Sequence, residues 1–417
     1  MTTTCGCTEQ QGLSRRGFLR GALAGAAALA GGSLLQLGDA QVALAEPGYA
    51  GDALVVVSLR GGFDGLSAVV PAGDPAYAAA RPDIAVPASR LLQLDGMFGL
   101  HPALAPLLPL WQAGTFGAVH AVGQASPTRS HFSAMEELER AAPTSSLRTG
   151  WIDRMVGAGG STSTFAGVQL GSGTATQALS GPVPTLALGR LSSVDLPGSW
   201  DADERARWRT ALTALHATGP AAVTVPAREA VAAVATAVGL PAAAPATAYP
   251  EGAFGDALKD VARLVKGGVG VRVAAVDLGD WDMHEGLGTT EWGRMQRQLG
   301  VLARGLAAFA ADLGDALATT SVVTLSEFGR RVEQNGSGGL DHGHGNAVLL
   351  LGGGVVGGRV HGTWPGLSAS ALVDGDLAGT TDYRQLLAEL LEVRCGVPTG
   401  SVFPGLGAGR LGIARAR

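Results

Sequence analysis

Apolar positions in this chain fall into two patterns that alternate. Residues 53–59 (ALVVVSL) are apolar at almost every position and close on Arg60-Gly61-Gly62-Phe63-Asp64-Gly65. An unbroken run of that length reads as a strand buried on both faces, stopped by a tight glycine turn. The unit recurs. Residues 114–123 (GTFGAVHAVG) predict a strand that leads through Ser126-Pro127-Thr128-Arg129-Ser130 into an amphipathic helix over about 131–141. Residues 271–278 predict a strand ending in GDWDMH, residues 291–317 a long helix, and residues 321–325 and 347–351 two more strands. Strands alternating with helices predict an α/β fold: a doubly wound, mostly parallel sheet sandwiched by helices.

Residues 200–266 break the alternation. Helical patterns over 201–218, 227–238 and 254–266, joined by PAAAPATAYP, carry no strand between them. They read as a helical insertion or cap on one domain spanning 46–417, which a helix over 381–393 closes.

The N-terminus is of another kind. Ser14-Arg15-Arg16-Gly17-Phe18-Leu19-Arg20 precedes a soft Ala/Gly-rich run over 21–37, and Ala43-Leu44-Ala45 supplies the small residues of a cleavage site. This is the layout of a twin-arginine signal over residues 1–45, cut after Ala45. About 17 residues broken by glycines is short for a membrane span, so the mature chain is expected to lack one. The expected destination is the periplasm, cell surface or medium. Chains on this route are exported folded, often with a metal or cofactor already loaded.

Composition narrows the function. Lysine occurs only at 259 and 266, and the net charge is −5, so there is no basic patch for nucleic acid. The 64 glycines follow no G-X-Y period. Cys5 and Cys7 leave with the signal, and Cys395 alone predicts a buried structural thiol. A GxGxxG with a ribose acid is absent, which weakens an oxidoreductase reading.

The chemistry-bearing residues cluster at strand ends. Asp64 follows the first strand, Asp282 and His284 follow the strand at 271–278, Glu327 ends the next, and Asp341, His342 and His344 precede the last. Open α/β sheets bind ligands at such edges. Asp, Glu and His from four chain regions, with no thiol, suit one or two divalent ions of Zn, Mn, Mg or Ca. Each also has a plainer role: Asp64 as a turn former, Glu327 as a salt-bridged loop acid. His101, His120 and His361, without acidic neighbours, read as core or surface histidines.

The segments SLRGGFDGLSAVVP, SPTRSHFSAME, LGDWDMHE, SEFGRR and DHGHGNAVLLLGGGVVGG, in this order along the mature chain, resemble the bacterial exported family called domain of unknown function 1501. That family is grouped with alkaline phosphatases, sulfatases and phosphoglycerate mutases. The resemblance implies an α/β/α sandwich and a two-metal site for phosphate or sulfate ester transfer. On it, Asp64 resembles the acid that touches a metal after the first strand, Asp282 and His284 a later Asp/His pair on one metal, and His342 or His344 the final His. Glu327 stands where the superfamily has Asp-His, with Phe328 in the place of that His. The run Ala125-Ser126-Pro127-Thr128-Arg129 resembles the sulfatase C-x-P-x-R loop with Ala125 at the nucleophile position.

Two functions follow. One is a metal-dependent hydrolase of small anionic esters, in which Ser130 is the nucleophile or else only a helix N-cap. In it Arg129 pairs with the anion, and His131 or His344 protonates the leaving group. The other is a catalytically degenerate, metal-stabilised protein that binds a cell-surface partner.

Overall fold

A computed structural model describes residues 51–161, 163–194, 201–241 and 244–417. The expected signal over 1–45 lies outside the described residues.

Among the described residues nine strands form the main sheet: β1 (Ala53–Leu59), β2 (Phe116–Gly123), β3 (Gly167–Leu170), β4 (Leu186–Leu188), β5 (Val273–Leu278), β6 (Thr320–Leu325), β7 (Asn346–Gly352), β8 (Val360–His361) and β9 (Thr381–Asp382). The principal helices are α1 (His131–Arg140), α2 (Trp151–Ala158), α3 (Ala202–Leu215), α4 (Ala221–Gly239), α5 (Ala253–Lys266), α6 (Arg294–Leu313) and α7 (Tyr383–Leu390). The strand order is β8-β2-β7-β6-β1-β5-β3-β4, with β9 also on β2.

Strand β1 pairs in parallel with β5 and β6 and is buried along its whole length, which is why its sequence does not alternate. Its successive side chains point to opposite faces. Val55 and Val57 pack with Leu258 and Val261 of α5 and Leu302 and Phe309 of α6. Leu54 and Val56 pack with Leu138 of α1, Trp151 and Met155 of α2, and Leu386 and Leu390 of α7. The result is the doubly wound sandwich expected from the sequence.

One strand sets the functional edge. Strand β7 runs antiparallel to both neighbours, β6 and β2. Its beginning therefore lies beside the carboxyl ends of β2, β6, β1 and β5. Residues before β7 and residues after those four strands meet on one rim of the sheet.

The segment 200–266 is not one unit. Helix α5 buries Phe254, Leu258, Val261 and Leu264, at helical spacing, in the core on one sheet face. Helix α3 buries no residue and α4 reaches this core only through Ala233 and Ala237, and the two expose Trp208, Leu215, Val223, Val225 and Val238. By length and composition the 19 residues of α4 are enough to cross a membrane, a property the sequence reading did not assign to the mature chain.

Candidate metal centre

Three histidines from three separate chain segments converge on Asp282. His131 opens α1, His284 follows β5, and His342 precedes β7. His284 Nε2 lies 3.1 Å and His342 Nε2 3.3 Å from Asp282 Oδ1, and His131 Nε2 lies 3.6 Å from Asp282 Oδ2. Potential donor atoms of His131, Asp282 and His342 all fall within 4.8 Å of one another.

The second nitrogen of each ring explains the convergence. His131 Nδ1 is 2.8 Å from Glu327 Oε1, His284 Nδ1 is 3.0 Å from Asp341 Oδ1, and His342 Nδ1 is 2.8 Å from the Arg129 carbonyl. Carboxylate and carbonyl oxygens only accept, so each Nδ1 is placed to donate, and toward Asp282, an acceptor too, each Nε2 needs a proton or a bound cation. Fixing the tautomer through the outer nitrogen is what carboxylate–histidine–metal arrangements do. The Nε2 atoms of His284 and His342 stand 2.9 Å apart. That approach is repulsive unless a cation, proton or metal, lies against both.

The donor set fits a metal. A tetrahedral shell with bonds of about 2.05 Å has donor–donor edges of about 3.3 Å. The His284, His342 and Asp282 donors are separated by 2.9, 3.1 and 3.3 Å. His131, Asp282 and His342 together offer two imidazoles and one carboxylate, a group that could hold a metal ion.

Buried groups hold this arrangement. Glu327, 2% exposed, accepts from the Gly61 N–H (2.8 Å) and the Ser326 hydroxyl (3.0 Å) as well as from His131. Arg330, equally buried, donates to the carbonyls of Gly61, Gly62, Trp281 and Leu340 and to Asp282 Oδ1 at 2.6 Å. Burial raises the Asp282 carboxyl, but the hydrogen bond and charge of Arg330, with His284 and His342, outweigh it and bring the pKa down to about 2. The Asp341 carboxyl is lowered chiefly by its hydrogen bond to His284. Gly61 has φ +114°, and a Cβ there would stand 2.6 Å from the Asp282 backbone nitrogen, so the β1 turn needs glycine to lie this close.

The remaining expected site residues lie elsewhere. Asp64 gives both carboxylate oxygens to buried Arg81 (2.6 and 3.0 Å) and accepts from the Ser67 N–H, so it is committed to a salt bridge rather than to the cluster. Glu327 and Asp341 orient histidines. His344 turns its Nε2 to the Gln124 carbonyl at 3.2 Å, and burial lowers its pKa. The Arg129 guanidinium rests on Asp376 (2.6 Å), and only its carbonyl serves the cluster. Ser130 occupies the N-cap position of α1, yet its exposed side chain makes no capping bond. His131, expected as an acid, is instead part of the donor set.

Phe328 fills the place assigned to a further histidine. Its ring packs on those of His131 and His342, with centroids 4.8 and 4.7 Å away. Sequence reasoning missed Arg330, Arg331 and Asp376. In SEFGRR nothing distinguishes the buried Arg330 from Arg331, and Asp376 lies in a turn without apolar periodicity. A cavity of about 530 Å³ sits apart and is lined by Arg190, Lys259, Lys266 and Asp312 among others, with no histidine. Volume and chemistry point to different places here, and the chemistry is the better guide.

No curated protein matches this chain. Among solved structures it is similar to the lipoteichoic acid synthase LtaP from Listeria monocytogenes, at 10% identity over 90% of this chain and 78% of that one, with a TM-score of 0.36. It is also similar to alkaline phosphatase from the Antarctic bacterium TAB5, at 10% identity over 82% and 98% of the two chains, with a TM-score of 0.29. The family described as "Protein of unknown function (DUF1501)" matches residues 52–393, most of the chain. The protein belongs to the DUF1501 family.

Proposed function

We propose that this protein is an exported, metal-dependent hydrolase of phosphate or sulfate esters. The observation that carries the reading is the triple tautomer lock: three Nδ1–H groups tied to oxygen acceptors, three Nε2 atoms turned to one carboxylate. His131, His284, His342 and Asp282 would hold a divalent ion. Such an ion, when bound, polarises an ester oxygen and lowers the pKa of water.

The chain's own groups supply the rest. Arg330 keeps Asp282 ionised and aimed, and Glu327 keeps His131 in the tautomer that faces the site. Phe328 packs its apolar ring against His131 and His342 on one side of the cluster. In the overall reaction the oxygen of water joins phosphorus or sulfur, the bond to the alcohol oxygen breaks, and the alcohol leaves with a proton.

A second reading, a metal-stabilised binding protein at the cell surface, is favoured by the capture of Arg129 on Asp376 and by Ala125 at the nucleophile position.

Metal analysis of the purified mature protein followed by aryl ester assays tests both. Near-stoichiometric zinc or manganese, turnover, and loss of both in Asp282→Asn support the hydrolase. Bound metal without turnover leaves the binding protein, and less than about a tenth of an equivalent after supplementation overturns the metal centre. Ser130→Ala separates a serine nucleophile, which it abolishes, from attack by water, which it leaves intact.

A further inference from the structure

Nine large apolar side chains are exposed among the described residues, and five of them, Trp208, Leu215, Val223, Val225 and Val238, sit on α3 and α4. Single exposed hydrophobics need no explanation, but a group of them on one helical hairpin marks a surface that something covers. The sequence sharpens this. Residues 210–227 hold no Asp, Glu, Lys or Arg, across the end of α3, the turn at Gly219-Pro220 and the start of α4. Helix α4 is apolar enough for a bilayer, yet only 22% of its apolar stretch is buried. A core helix of that composition is buried over most of its length, and α4 lies far from the N-terminal signal.

Where α4 is held decides which part is free. Its second half reaches the core through Ala233 and Ala237, whereas Ala221, Ala222, Val223 and Val225 in its first turns are exposed. The free part is the tip of the hairpin. Arg228 and Glu229 stand near the middle of α4, where charge is costly at the centre of a bilayer, so the helix is not built to span one. Residues 221–227 rise about 10 Å along the helix, close to the roughly 5–10 Å to which interfacial helices sink. The first charges met on leaving the tip are arginines on both helices: Arg209, Arg207 and Arg205 on α3, and Arg228 on α4. Asp203 and Glu204 lie farther back, in the first turn of α3, and Glu229 follows Arg228. Trp208 stands among the arginines, 46% exposed. This is the order of a membrane surface: apolar residues for the acyl boundary, an indole at the interface, and guanidinium groups for anionic headgroups. A second protein surface would place no such requirement on the order of side chains along the hairpin.

We propose that the tip of the α3–α4 hairpin, residues 210–227, docks the mature protein on an anionic phospholipid surface without crossing it.

The test uses the chain from residue 46 onward, because the apolar run over 21–37 would bind lipid by itself. The protein should float with mixed phosphatidylcholine–phosphatidylglycerol vesicles, less so with phosphatidylcholine alone or at high salt. Val223→Asp combined with Val225→Asp should weaken binding at least about tenfold. Arg207→Gln combined with Arg209→Gln should remove the phosphatidylglycerol-dependent part. Both double variants should keep the urea midpoint of the wild type, since α3 buries nothing and both valines are exposed. Ala222→Cys adds an exposed thiol to a chain whose Cys395 is buried, so one environment-sensitive fluorophore can be placed on the tip. Its emission should shift to the blue on vesicles and be quenched by lipids brominated in the acyl chains. No flotation with either vesicle, or flotation with an unshifted label at residue 222, overturns the proposal. A dimer in sedimentation that Val223→Asp and Val225→Asp dissolve, without flotation, overturns it too and assigns the tip to a second copy of the chain.

Discussion

Glu327→Gln should weaken metal binding about 10–100-fold without unfolding the protein. The carboxylate is 2% exposed and takes three donors: the Gly61 N–H, the Ser326 hydroxyl and His131 Nδ1–H. Glutamine has the same shape. Its carbonyl oxygen can replace Oε1, which serves Gly61 and His131, and its amide group can donate to Ser326. What it removes is the charge that makes His131 Nε2 a stronger base. Loss of a carboxylate behind a histidine ligand typically lowers metal affinity by about 10–100-fold, or about 1.4–2.7 kcal/mol. Glu327→Ala is harsher, because it strands two buried N–H groups at about 1–3 kcal/mol each. The assay is zinc competition against a chromophoric chelator, with urea unfolding of the apo proteins alongside. Glu327→Gln should retain apo stability and lose affinity, and Glu327→Ala should lose both. If Glu327→Gln binds zinc within twofold of wild type while His131→Ala loses more than tenfold, Glu327 does not tune the histidine and the tautomer argument fails.

Three further outcomes follow from the geometry. Arg330→Met leaves four carbonyls and the Asp282 carboxylate without their donor, so unfolding free energy should fall by about 3–5 kcal/mol; a loss below 1 kcal/mol would contradict its role as the buried tie between the β1 and β5 ends. Gly61→Ala forces a Cβ against the Asp282 backbone, and zinc affinity should drop even where circular dichroism is unchanged. His120 is held neutral by burial, its pKa lowered to about 4, with Nε2–H on the Val69 carbonyl and Nδ1 accepting from Ala121 N–H. The unfolded state takes up a proton below about pH 6.5 and the folded state only near 4. Stability should therefore fall as pH drops through that window, by up to about 3 kcal/mol, and His120→Gln should flatten the decline in urea midpoints.

Much of the fold was legible because parallel strands buried on both faces leave unbroken apolar runs. The 53–59 run and the 273–278 run declare themselves in this way. The helices over 200–266 were harder to sort. The 3–4 spacing of Phe254, Leu258 and Val261 marks α5, which covers the sheet, whereas α3 buries nothing and α4 reaches that core only through Ala233 and Ala237. The rim of the site was legible too, since Asp282, His284, Asp341 and His342 come from two short segments. Asp64 was not, because its partner Arg81 lies 17 residues on and no local pattern links them. Glu327 and Phe328 carry opposite lessons from adjacent positions. The acid reads as a ligand but supports one from behind, and the ring that looks like a missing ligand becomes the wall of the site.

That wall bears on how many ions the site can take. The ring of Phe328 touches His131 on one side and His342 on the other, and a Cβ on Gly62 would come within 2.6 Å of it. The space next to the cluster is thus closed by packing as well as lacking a ligand. Arg330 already supplies a fixed positive charge to Asp282 from inside the protein, where a second ion would otherwise be needed to balance that carboxylate. A buried guanidinium does this at any metal concentration, but it offers no open coordination position to a substrate. Zinc titration should therefore saturate at one equivalent, and Phe328→His should leave that first affinity nearly unchanged. A second equivalent bound by the wild-type protein with comparable affinity would mean that the ring moves aside, and the packing around Gly62 and His131 would then have to be looser than it stands.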